Sequence, residues 1–205
     1  MFCGPLAAMN LPNLITLSRI PAMFAIVGLM YCEFAGAASI AFWTFIVCAV
    51  GDWYDGYLAR KTNQVSTFGK LMDALTDKIM VVGLVVAFVD KDEIPIFLAL
   101  VTLCREFLIT GMRMVAASKG VIVSADRGGK TKTLTQLIAL GFLLGAPMAA
   151  HDWARFMPSY DLTGFVNVVS KIGLFGFALG TLLAVWSGYR YVMKYRHVVF
   201  SEIDR

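Results

Sequence analysis

Residues 52–60 read Asp52-Trp53-Tyr54-Asp55-Gly56-Tyr57-Leu58-Ala59-Arg60; after eight intervening residues comes Gly69, then Asp73 and Asp77 at intervals of four. These acids lie in two apolar runs, about 36–57 and 68–89. Each run is the length of a membrane-spanning helix. Asp52 and Asp55 are one helical turn apart, as are Asp73 and Asp77, so each pair projects from one face. An Asp at the bilayer centre costs on the order of 2.5–3.5 kcal/mol on insertion scales. Four gathered together require compensation. Protonation is one device, and salt bridges to Arg60, Lys78, Arg105 or Arg113 are another. The third is divalent metal, because carboxylate oxygens suit Mg²⁺ or Mn²⁺. Four acids suffice for two such ions, the arrangement used in phosphoryl chemistry.

The rest of the chain sets the context. Of its 205 residues 59% are hydrophobic and 16% charged, and mean hydropathy is +0.72. This composition excludes an ordinary soluble globule and a disordered chain. The pattern predicts an all-α integral membrane protein with six transmembrane helices, at about 14–31, 36–57, 68–89, 94–117, 134–150 and 165–191. Polar loops are expected at 118–133 and 151–163, and residues 1–205 are expected to form one membrane domain. Arg19, Arg60, Lys61, Lys70, Lys119, Arg127, Lys130, Lys132, Arg190, Lys194, Arg196 and Arg205 fall on one side, whereas the other holds only Lys91, Arg155 and Lys171 among several acids. The positive-inside rule then puts both termini, and the polar active site, on the cytoplasmic side. The net charge of +4 reads as topology and attraction to anionic headgroups rather than nucleic-acid binding. No Lys or Arg precedes Arg19, so a signal peptide's basic region is not expected. The scattered cysteines read as packing residues, and the tryptophans as packing and interfacial belts.

Between the acids stand Gly56 and Ala59, on the acid-bearing face, and Gly69 opens the next span. Small residues there let a bulky ligand approach the backbone, although helix packing alone also favours them. Arg60 offers a planar fork for phosphate. The stretch resembles the signature of the CDP-alcohol phosphatidyltransferase family, D-x2-D-G-x2-A-R-x8-G-x3-D-x3-D, matched at all eight fixed positions. The resemblance implies transfer of a phosphatidyl group from CDP-diacylglycerol to an alcohol, with release of CMP. It implies Asp52, Asp55 and Asp73 as ligands of two divalent cations, and Asp77 as general base that also touches the second metal. It further implies Gly56, Arg60 and Ser66 as contacts to the CDP-lipid, with Ala59 and Gly69 giving it room. Asn13 and Thr16 either join the nucleotide site or cap and pack the first helix. By the same resemblance the protein is expected to be a homodimer in a bacterial inner membrane.

A second polar region bears on the acceptor. Arg105 and Arg113 are eight residues apart in span four, nearly on one face. Arg105 serves either as counter-ion to the aspartates or as a ligand. Arg113, Lys130 and Lys132 could bind a second phosphate or merely express positive-inside charge. Together with Asn10-x-Pro12-Asn13-x-x-Thr16-x-x-Arg19, Arg105-Glu106 and Gly129-Lys130-x-Lys132-Thr133-x-x-Gln136, they resemble the branch of the family whose acceptor is glycerol 3-phosphate. Inositol phosphate, serine or phosphatidylglycerol are the alternative acceptors, and a cation- or proton-coupled transporter is the alternative of another class.

Overall fold

A computed structural model describes residues 11–62, 67–118, 127–157 and 160–200, with side chains described at 17–51, 76, 78–116, 131–157 and 160–196. Among them are six long helices and no strand: α1 (Leu11–Met30), α2 (Ala37–Thr62), α3 (Thr67–Asp90), α4 (Ile96–Ser118), α5 (Arg127–Pro147) and α7 (Thr163–Phe200). A π-helical turn (Met148–Trp153) and the short α6 (Ala154–Phe156) follow α5. The six expected helices are present. Their limits differ where hydropathy and hydrogen bonding part company. The helix α5 starts at Arg127, so Lys130 and Lys132 stand on a helix instead of in the expected loop. The helix α7 runs to Phe200, beyond its apolar run. Two stretches, Thr131–Phe156 and Thr163–Arg196, are long and apolar enough to cross a membrane, and Leu17–Met30 and Ala37–Gly51 are shorter apolar helices.

The residues form two compact units, 1–87 with 144–167, and 88–143 with 168–205. In the first, α1 packs on α2, and Met23, Ile26, Ala41, Phe45, Met80 and Leu84 are buried. Gly83 lets Met23 lie close to the α3 backbone: a Cβ there would sit 2.4 Å from the Met23 sulfur. The helix α2 begins after Gly36, whose φ of +94° suits glycine. With no side chain, Gly36 cannot cap its own helix. Asp152, from the π-helical turn, does so instead. Its carboxylate accepts the Gly36 N–H at 2.8 Å, the Ser39 N–H at 2.7 Å and the Ser39 hydroxyl at 2.6 Å. Pro147 has no N–H to offer the helical ladder, and the turn that follows it carries Asp152 to a buried position. Trp153 stacks on Phe165, with centroids 6.5 Å apart.

The second unit opens on the end of α3. Asp92 has φ +58°; its N–H donates to Val89 O at 3.1 Å and the Glu93 N–H to Phe88 O at 2.9 Å. This is a Schellman stop with Asp in the glycine position. Pro95 O then accepts from Leu98 and Ala99 to start α4. The helix α7 lies close against α5 along a stripe of glycines. A Cβ at Gly173 would stand 2.9 Å from Leu143 Cγ, at Gly176 3.3 Å from Ala139 Cβ, and at Gly180 2.7 Å from Gln136 Cγ. A Thr102–Thr181 hydroxyl bond of 2.8 Å joins α4 to α7. Outward faces stay apolar: Phe97, Phe107, Met114, Phe175, Leu182 and Trp186 are all exposed. So are Cys32 and Cys104, which therefore do not pack in a core as expected, while Cys48 is half-buried. Trp43 is also exposed, on the outside of the first unit.

Candidate active site

The backbone places the signature on adjoining helix ends. Asp52, Asp55, Gly56, Ala59 and Arg60 occupy the last three turns of α2, and Gly69, Asp73 and Asp77 the first three of α3. Thr62 and Thr67 are separated by four residues, so the two ends stand within about 18 Å of each other. Asn13 and Thr16 lie in the first turns of α1. The side chains of these residues, and Ser66 altogether, lie outside the described residues, as does the side chain of Lys130.

The described neighbours add one feature. Arg19, expected as a cytoplasmic charge, is 2% exposed. It is the ninth residue of α1, which begins at Leu11, earlier than the apolar run. Its charge acts on the Cys48 thiol of α2, and position 48 is one turn before Asp52. Arg19 is thus a buried guanidinium on α1 that hydropathy did not single out.

The second unit builds a polar cluster from α4, α5 and α7. The Arg105 guanidinium donates from Nε to Ala184 O at 2.9 Å, from one terminal nitrogen to Ser187 Oγ at 2.9 Å, and from the other to Glu106 Oε1 at 3.0 Å. Ser187 Oγ in turn donates to Ala184 O at 3.1 Å. Glu106 Oε1 also accepts from the Lys132 ammonium. Lys132 is buried, although Lys is rarely so unless paired. Arg113 lies over the Tyr191 ring at 5.6 Å, and Lys194 over Tyr195 at 5.3 Å. Tyr191 stands on Ile109 and Met112. The Tyr191 hydroxyl and the Gln136 amide nitrogen are buried without a hydrogen-bond partner among the described residues. Thus Arg105, Glu106 and Lys132 are brought together. In the sequence Glu106 and Gln136 stand only as motif pieces; the spacing of Lys132 and Gln136, one turn apart on α5, is the signal of a shared polar face there, whereas nothing local in the sequence brings Glu106 of α4 to it.

Two apolar-flanked helix ends carrying four carboxylates in eight matched positions define a class. The chain belongs to the CDP-alcohol phosphatidyltransferase family, whose model matches residues 9–199. Among its relatives, a Bacillus subtilis protein is 40% identical over 147 residues, covering 66% of this chain and 76% of that protein. A Sodalis glossinidius protein is 31% identical over 201 residues, covering 95% and 99%, and a Rickettsia typhi protein 36% over 135 residues, covering 66% and 76%. All three carry the name CDP-diacylglycerol–glycerol-3-phosphate 3-phosphatidyltransferase. These names favour a transferase over the transporter that the acids alone would allow.

Proposed function

We propose that this protein transfers the phosphatidyl group of CDP-diacylglycerol to sn-glycerol 3-phosphate, giving phosphatidylglycerophosphate and CMP. The observation that carries the reading is the complete aspartate signature on the adjoining ends of α2 and α3, in a family whose matched relatives bear that enzyme's name.

The donor set, four carboxylates and no soft ligand, fits hard divalent cations. Asp52, Asp55 and Asp73, with Asp77, would hold two of them, Mg²⁺ or Mn²⁺. Bound there, such ions supply charge neutralisation to a diphosphate and its leaving group. Gly56, Ala59, Arg60, Ser66 and Gly69 would hold the CDP-lipid, with Asn13 and Thr16 at the nucleotide end. Asp77 takes the proton of the acceptor hydroxyl, since an aliphatic alcohol is a poor nucleophile until deprotonated. The freed oxygen bonds to the phosphorus that bears diacylglycerol, the bond from that phosphorus to the CMP oxygen breaks, and CMP leaves. Arg113, Lys130 and Lys132, with Arg105 behind them, would take the acceptor's own phosphate.

The bilayer supplies the lipid substrate. Exposed apolar faces on α4 and α7 suit hydrocarbon rather than water. The reading places all of 1–205 as one multi-pass domain of a bacterial inner membrane, homodimeric, with both termini cytoplasmic. Membranes containing the protein should release CMP when given CDP-diacylglycerol, glycerol 3-phosphate and Mg²⁺ or Mn²⁺. Chelation, or Asp77→Asn, should abolish that release. Release no higher with glycerol 3-phosphate than with inositol phosphate, serine or phosphatidylglycerol would sink the acceptor assignment; none with any alcohol would sink the enzyme.

A further inference from the structure

An anion-binding cluster has an obvious use for Arg105 and Lys132 and none for Glu106. A carboxylate beside an incoming phosphate repels it, so its presence calls for a physical reason. The reason lies in how Lys132 is held. Its side chain is 4% exposed, and Glu106 Oε1 pairs with its ammonium. A Lys buried to this degree without a counter-charge either gives up its proton or swings away. Glu106 is itself fixed by Arg105 at 3.0 Å, and Arg105 is tied twice to α7, through Ala184 O and Ser187 Oγ. Gly188, one position beyond Ser187, faces the Arg105 stem, which a Cβ there would meet at 3.4 Å, an ordinary van der Waals contact. Anchoring therefore runs from the α7 backbone to Arg105, to Glu106, and finally to the Lys132 tip on α5. Two cations and one anion still leave the triad with a net positive charge, so the attraction for a phosphate survives the pairing. What Glu106 adds is order. A Lys side chain fixed before the ligand arrives loses less freedom on binding it.

We infer that Glu106 is a positioning residue for the acceptor, acting through Lys132. The inference rests on the assignment of Lys132 to the acceptor phosphate. Its test is steady-state kinetics of the full-length protein in lipid–detergent mixed micelles, with glycerol 3-phosphate and CDP-diacylglycerol varied in turn. Glu106→Gln, which keeps shape and removes charge, raises the KM for glycerol 3-phosphate about tenfold, while kcat and the KM for CDP-diacylglycerol stay within about twofold. Glu106→Asp, which keeps the charge on a shorter stem, restores part of the loss. In a Lys132→Met background Glu106→Gln adds less than about twofold, because a residue acting through another has nothing left to position.

A general rise in both KM values with a fall in kcat, or a full tenfold effect in the Lys132→Met background, overturns the inference and marks Glu106 as merely structural. Should Glu106→Gln fail to fold, Glu106→Ala takes its place, and an unchanged acceptor KM in that variant overturns the idea. Active enzyme whose acceptor KM ignores Lys132→Met removes the phosphate assignment and the inference with it. A strong Lys132→Met effect beside a silent Glu106→Gln removes only the role of Glu106. Wild-type protein that releases no CMP fails the proposed function itself.

Discussion

Glu93 and Asp161, on two short links, have carboxyl groups shifted in opposite directions from their ordinary range. Burial pushes the Glu93 carboxyl above its ordinary range, with Lys91 offsetting part of the shift, and one of its oxygens is buried without a hydrogen-bond partner among the described residues. A raised folded-state value means stability that is fully present below the unfolded value and lost as pH rises through the folded one. Glu93→Gln should therefore raise the melting temperature at neutral pH, and the gain should shrink as pH falls toward about 4; a gain that is constant from neutral to acid pH would refute the cause. Asp161 is the reverse case: hydrogen bonds from Thr163 hold its carboxyl below the ordinary range, so its contribution is present above that range and fades in acid. The sequence identified the four signature aspartates because their relation is covalent, a fixed spacing on two runs. It could not identify Arg19, Glu106 and Lys132 as buried, because burial depends on which helices pack together. Arg105 stood open between counter-ion and ligand for the same reason: its anchors, Ala184 and Ser187, are 79 and 82 residues away.

At the scale of elements, hydropathy marked the helices and hydrogen bonding set their ends. Gly128, Gly129 and Lys130 read as loop because they are polar or small, yet the α5 ladder includes them. The Schellman stop offers a direct check. Asp92 occupies the left-handed region, which costs an L-residue about 1–2 kcal/mol, so Asp92→Gly should stabilise the fold by up to about 1 kcal/mol in denaturant titration. An unchanged or lower midpoint would contradict the assigned geometry. The glycine stripe predicts the opposite sign. Gly173→Val places atoms against Leu143 Cγ and its backbone nitrogen, 2.9 and 3.1 Å from the first added carbon. Overpacking of this kind costs about 1–3 kcal/mol, whereas Gly164→Ala, where nothing lies within 4 Å, should cost little. Equal effects at the two sites would show that α7 does not need its close approach to α5.

For the whole molecule, the sequence supplied number and class: six long helices, an apolar surface and a family signature. Charge asymmetry supplied an orientation that reporters can test. A protease site at either end should be cut in inside-out membrane vesicles and protected in right-side-out ones. Cleavage of the two ends from opposite sides would mean an odd number of crossings and undo the orientation. The division of the residues into two compact units was not legible, because α3, α5 and α7 each contribute to both, and no composition change marks the boundary.

The carboxylate that completes the start of α2 stands 116 residues further along the chain than Gly36. At a synthesis rate of about 5–20 residues per second, α2 waits roughly 6 to 23 s after Gly36 is made before Asp152 exists. The helix that bears the first two signature acids thus has its first turn finished by a segment translated more than a hundred residues later. A nascent chain halted before residue 152 would carry every residue of the aspartate signature and still lack the clasp on the helix that presents half of it.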